Sequence, residues 1–452
     1  MRGLFSLAWA AALVATVAAS GGTQVTPGGV DDIVITAESI LNSTTKYIIT
    51  DNAPPQTIQD APASNSGSTH HTDVASTASA QLPMTIVNNF GNGMYMYITG
   101  ADDNGNACFV GSSGGYIYPP ASGSVPQPIT ASIGIALGNN GQTTSFTLPG
   151  TLQSARIWFA AGQLKFYSVT DGNGNGAIVM PSAVNPSDPN AGVQWGFVEF
   201  NYDSSSMFAN ISYVDFVGLP LGMGLTVGGV QQVVEGLKGM SVNNICSDLT
   251  SQSNSDGQIW SKLCQYSGSK ALRALSPNLY ISGNSGAFSG YFEPYVNSVW
   301  SQYTSSALTI APQNGGGNVA CQVSGSTLNC AGDNRGYPKP TTADIFGCNS
   351  GPFAIESGDN SIHYAVVPRL CAAFDRSTLL LSGGNVQPSL GSSSYYTVSP
   401  TNHYSRIVHN YEVGGLGYAF SYDDVSPNGQ NVAGTVSGNN PTNFKITIGG
   451  WS

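Results

Sequence analysis

From Leu82 onward the chain is written in short runs rich in Val, Ile, Phe and Tyr, each cut off by Gly, Asn or Pro. The runs cover 84–88, 94–99, 132–137, 144–148, 155–160 and 163–168. Apolar runs this short, with turn residues between them, predict a β-sandwich or barrel. After residue 226 the period changes. Val230, Val233, Val234, Leu237 and Met240 recur at three and four, which predicts an amphipathic helix. Further helices are expected at 259–266, from Pro294 through Tyr303, at 341–346 and at 368–374, with Pro294 accommodated in a first turn. From Ile407 the text reads as strands again, with Tyr418, Phe420 and Tyr422 alternating and Phe444, Ile446 and Ile448 near the end. The expected fold class is mainly β, a sandwich or barrel formed by 82–226 and 401–452, with a mixed α/β domain, 227–400, inserted.

The segment 195–225, WGFVEFNYDSSSMFANISYVDFVGLPLGMGL, places two carboxylates in strand-like text where charged residues make up only 9% of the chain. Residues of one parity share a strand face. Val198, Phe200, Tyr202, Phe208, Val214 and Phe216 form an apolar face, and Glu199, Asn201, Asp203, Tyr213 and Asp215 a polar and aromatic one. Two carboxylates on an open face are the minimum for glycoside hydrolysis, one protonating the leaving oxygen and the other activating water or attacking. The plainer alternative is a pair of solvated acids on an outer sheet face. Asp203 reads equally as a turn residue. Strand arithmetic is hard on the catalytic pairing. A symmetric hairpin about 203–207 puts 199 opposite 211 and Asp215 about 13 Å further along, at ~3.3 Å per residue, whereas inverting pairs lie about 6.5–9.5 Å apart.

The same segment resembles glycoside hydrolase family 64, endo-β-1,3-glucanases on a thaumatin-like scaffold. The motifs are Val198-Glu199-Phe200, then Phe208-Ala209-Asn210-Ile211-Ser212-Tyr213-Val214-Asp215-Phe216-Val217-Gly218-Leu219-Pro220-Leu221. Downstream come Thr342 through Phe353, Val367 through Phe374 and Gly417 through Val425. The resemblance implies a thaumatin-like β fold and an inverting, metal-free glucanase with no cofactor. Glu199 is then the general acid and Asp215 the general base. Asn201, Asp203, Phe208 and Tyr213 are the candidate substrate contacts and a β-1,3-glucan the partner. The rival readings are a β-glucan-binding protein without turnover and a thaumatin-like wall-interaction protein.

Residues 1–19, with Arg2, an apolar run and small residues at 17 and 19, predict a secretory signal peptide. The chain is therefore expected outside the cell, free or associated with a cell wall, and as a monomer. Residues 20–81 are rich in Ser, Thr, Ala and Pro and read as a linker, with Asn42 in a glycosylation sequon. A formal charge of −11 with 14 Lys plus Arg argues against nucleic acid or an anionic membrane as partner. Seven cysteines in an oxidising compartment suggest three disulfides and one thiol left over. Cys321 and Cys330 flank a Ser-Gly-Ser turn that would set them opposite each other. Cys246 with Cys264 and Cys348 with Cys371 are local pairs, and Cys108 is the odd one. With five histidines and no CxxC spacing, no zinc site is expected.

Overall fold

The computed structural model describes residues 81–451 apart from 204, 313–316 and 428–433. The expected signal peptide, Asn42 and the 20–81 segment up to residue 80 lie outside the described residues. The protein is mainly β and divides into two compact units. A sheet unit takes the described residues up to Ala209 with Leu219–Glu235 and Val436 onward. A mixed unit takes Asn210–Gly218 and Gly236–Thr435. The stretch 401–435, expected with the β domain, falls in the mixed unit. The reason is local: His403–Tyr411 is a helix capped by Asn402, whose side chain accepts from the Ser405 N–H, and 416–425 is a chain of turns.

In the sheet unit, one sheet runs in the order Val230–Val234, Leu221–Val227, Pro441–Ile448, Leu82–Asn88, Gln142–Leu148. The last strand, Phe444 to Ile448, pairs in parallel with Met84 to Asn88 and so joins the two ends of the described chain. The other large sheet is ordered Thr435–Asn439, Ser206–Ile211, Trp195–Tyr202, Leu152–Ala161, Met94–Ala101, Ala107–Val110, Tyr116–Ile117. Gly196 lies where an added Cβ would meet Leu219 N at 3.1 Å and Leu221 Cδ1 at 3.6 Å, so the two sheets face each other across this glycine.

The helix expected at 230–240 is instead the strand Val230–Val234, paired antiparallel with Leu221–Val227. Gly228 and Gly229 both have positive φ, 59° and 81°, which is the two-residue hairpin geometry that β-branched flanks favour. The helix expected at 259–266 shrinks to one 3-10 turn, Trp260–Leu263, followed by the strand Cys264–Ser267.

In the mixed unit, Glu293–Ser305 and Thr342–Gly347 are helices, the latter closed by a capping box between Thr341 and Asp344. Ser361–Asp375 starts at an Asn360 cap, eight residues before Pro368, which lies inside the helix. Disulfides join Cys246 to Cys264, Cys321 to Cys330 and Cys348 to Cys371, while the buried Cys108 remains a thiol. No helix among the described residues is long and apolar enough to cross a membrane.

Two loops of similar sequence, Asp102–Asn106 and Asp171–Asn175, are folded by their leading aspartates. Each Oδ1 accepts the backbone N–H two and four residues on, at 2.9 and 2.7 Å. Next to the second loop, a Cβ on Gly176 would fall 1.9 Å from the Pro119 carbonyl oxygen. Gly176→Ala should therefore destabilise the protein by about 1–3 kcal/mol, as overpacking against backbone does. Urea unfolding checks this.

Candidate functional site

Glu199 sits in the middle of Trp195–Tyr202, a strand with only one residue, Asn201, not buried. Of the polar face expected to be open, Glu199 and Tyr213 are buried while Asn201, Asp203 and Asp215 are half-buried. In register across the sheet, Glu199 opposes Arg156, which opposes Thr99. One pleat away, Phe197 opposes Trp158, and Trp158 opposes Tyr97. Phe166 closes over this layer, 5.3 Å from Tyr97 and 5.7 Å from Trp158 between ring centroids. Glu199 is 2% exposed and Arg156 4%.

A carboxylate this deep needs a compensating charge. Arg156 supplies it, with Nε 3.3 Å and Nη2 3.1 Å from the same oxygen, Oε1. The guanidinium also lies over the Phe197 ring, 4.4 Å from its centroid, which favours a planar cation. Arg156 was not among the residues picked from the sequence. The available signal was that Leu152–Ala161 and Trp195–Tyr202 each carry a single charged residue.

The other residues singled out from the sequence have different surroundings. Asp203 forms the turn after the strand: its carboxylate accepts from the backbone of Ser205 and Ser206 at 2.7 and 2.6 Å and from both hydroxyls. These bonds hold its carboxyl below the ordinary range, against the opposing effect of partial burial. Asn201 Oδ1 accepts from the Ser154 N–H at 2.6 Å, bracing a residue with φ of 48° beside the bulge between the two strands. Phe208, placed by parity on the core face, is 41% exposed on Ser206–Ile211.

Asp215 belongs to the mixed unit. The strand carrying Phe208 stops at Ile211, Ser212 bridges in parallel to Tyr418, and the chain bends at 214–215. The straight-hairpin arithmetic therefore does not extend to Asp215. Its half-buried side chain precedes Phe216–Val217, a short strand on Lys270–Leu275, and its carbonyl accepts the Ser276 N–H at 2.7 Å. Tyr213, expected on the polar face, is only 2% exposed, so its phenol is core rather than surface. Burial, then the charge of Glu412, pushes that phenol well above its ordinary range. The buried Tyr404 is raised likewise by burial and then by Asp215 and Glu412, so Asp215 lies within electrostatic reach of it.

Among the described residues one group has metal-ligand proximity, Cys348, Cys371 and Asp375, and its two sulfurs are joined to each other. It offers no thiolate.

The model of glycoside hydrolase family 64, described as β-1,3-glucanase, matches residues 80–448 and so spans both acids. The chain belongs to this family. A family 64 structure, a laminaripentaose-producing β-1,3-glucanase in complex with laminaritetraose, superposes with a TM-score of 0.72 at 27% identity, covering 82% of this chain and 99% of that one. A β-1,3-glucanase domain from Clostridium beijerinckii, 22% identical with a TM-score of 0.63 and covering 83% and 100% of the two chains, shares the fold. A glucan endo-1,3-beta-glucosidase from Cellulosimicrobium cellulans is 28% identical over 362 residues, or 78% of this chain and 62% of that protein. One from Arthrobacter sp. (strain YCWD3) matches to the same extent. The chain thus spans about three fifths of the length of these curated relatives.

Removing the guanidinium should take two contacts from the buried Glu199 carboxyl. Arg156→Met is expected to cost about 3–5 kcal/mol at neutral pH, and adding Glu199→Gln to it should recover part of the loss. Denaturant unfolding of the two variants at pH 7 measures both effects.

Proposed function

We propose that the chain is a secreted endo-β-1,3-glucanase acting with inversion, with Glu199 as general acid and Asp215 as general base. The observation that carries this reading is the family match across 80–448, which contains both acids in their motifs. The family 64 structure holding laminaritetraose supports the substrate class. A neutral glucan also suits a chain of net charge −11, since sugar binding relies on stacking and hydrogen bonds rather than on charge neutralisation.

The chemistry assigns each group a task. Arg156 Nε and Nη2 both contact Oε1 of Glu199, which orients the carboxyl that is to protonate the leaving oxygen. Asp215, as a carboxylate, takes the proton of a water attacking the opposite face of the sugar ring. Phe208 offers an exposed ring for stacking and Asn201 an amide braced by the backbone. Neither acid requires a metal for these steps.

Glu199→Gln should lower kcat on laminarin at least ~10²-fold, with the protein folded and laminarin binding still detectable by calorimetry. Turnover near wild type would remove Glu199 from the mechanism, and a wild-type protein that binds laminarin without turnover would favour the non-catalytic reading. Inversion makes the first product the α-anomer. Proton NMR of a fresh digest, read before mutarotation, decides it, and an initial β-anomer means retention.

A further inference from the structure

The mixed unit contains a second ion cluster, which the proposed chemistry does not use. His409, on His403–Tyr411, has Nδ1 2.6 Å from Glu412 Oε2 and Nε2 2.9 Å from Asp423 Oδ2. Asp423 Oδ1 accepts from Arg376 Nη2 at 2.8 Å. The side chains of Glu412, Asp423 and Arg376 are 0%, 2% and 3% exposed. With His409 protonated, two cations meet two carboxylates. With His409 neutral, one guanidinium would face two buried carboxylates, which the interior does not support. Burial alone would lower the imidazole's affinity for its proton, but Asp423 and Glu412 together outweigh it and hold His409 well above its ordinary range.

From this cluster a run of hydrogen bonds leads to the segment carrying Asp215. Asp423 Oδ2 accepts the Ala419 N–H at 2.8 Å, and the Ala419 carbonyl accepts the Ser405 hydroxyl at 3.0 Å, tying the 417–423 loop to the helix that bears His409. The preceding residue of that loop, Tyr418, accepts the Tyr213 N–H on its carbonyl at 2.7 Å. The Tyr213 carbonyl in turn accepts the Tyr404 hydroxyl at 2.7 Å, from the same helix. Both backbone polar groups of Tyr213, two residues before Asp215, are thus held by the loop and helix that His409 joins. Gly417 keeps the joint tight, since a Cβ there would meet Glu412 Oε1 at 2.3 Å and Tyr213 Cε2 at 3.0 Å.

We propose that His409 is a positioning residue for Asp215: pinned between Glu412 and Asp423, it locks the 417–423 loop against its own helix and so fixes the backbone that aims the Asp215 carboxylate. The inference rests on the reading of Asp215 as the base. Its physical basis is that small misplacements of a reacting group cost large factors in rate. The charged and titratable groups facing His409 are Glu412 from the end of its own helix, Asp423 from the loop with Arg376 behind it, and Tyr396, whose ring centroid is 6.0 Å away.

The test compares His409→Gln and Asp215→Asn with the full chain on laminarin. His409→Gln should lower kcat at least about tenfold while leaving KM within threefold, and should shift the acid limb of the kcat–pH profile, where the base titrates. A purely structural role would lower the unfolding temperature without moving that profile. If His409→Gln does not fold, Glu412→Gln, which keeps the volume and one hydrogen bond, is held to the same criteria. A folded variant with kcat within twofold of wild type and an unaltered profile, beside an inactive Asp215→Asn, overturns the inference alone. Asp215→Asn turning over like wild type overturns the base assignment and the inference with it.

Discussion

A carboxyl group buried in the middle of a sheet needs a polar partner built in against it. Leu152–Ala161 puts Arg156 directly opposite Glu199. Beside that pair lies an aromatic layer of Trp195, Phe197, Trp158 and Phe166, with neighbouring ring centroids 5.1–6.4 Å apart. Phe197 covers the guanidinium, and the Met180 sulfur lies 3.7 Å from its Nη1. The mixed unit holds a second buried set of opposite charges, Arg376, Asp423, His409 and Glu412.

The cost of such sets explains their place near the proposed chemistry. Replacing a buried pair by apolar residues is often neutral or stabilising, so stability alone is a weak reason to hold one. A fixed charge beside a reacting carboxyl is a better reason, because it sets orientation before substrate arrives. Arg156 is proposed to do this for Glu199 directly. The His409 cluster is proposed to do it for Asp215 through backbone bonds at Tyr213.

Where strand text was regular, the elements were legible: Leu82–Asn88, Met94–Ala101, Gln142–Leu148 and Leu152–Ala161 lie where alternating or continuous apolar runs end in turn residues. Two readings went astray for identifiable reasons. The spacing of Val230, Val233, Val234 and Leu237 matches a helix, but Gly228-Gly229 made a hairpin cheaper and left Val230 69% exposed on an edge strand. Parity along 195–202 separates two faces correctly, but it carries no information on whether one of them meets solvent. Glu199 itself is 2% exposed.

By itself the sequence determined a mainly β chain, the family 64 motifs, and the two acids those motifs contain. It also made the Cys321–Cys330 hairpin readable, because a short turn sets its two ends side by side. Only the tertiary structure decided what each acid faces. Arg156 is 43 residues from Glu199, and which residue opposes a buried charge depends on strand register. Likewise, Arg376, His409 and Asp423 meet only after a helix end, a second helix and a loop have packed. Local pattern encodes periodicity and turns, while the pairing of buried charges is set by long-range packing.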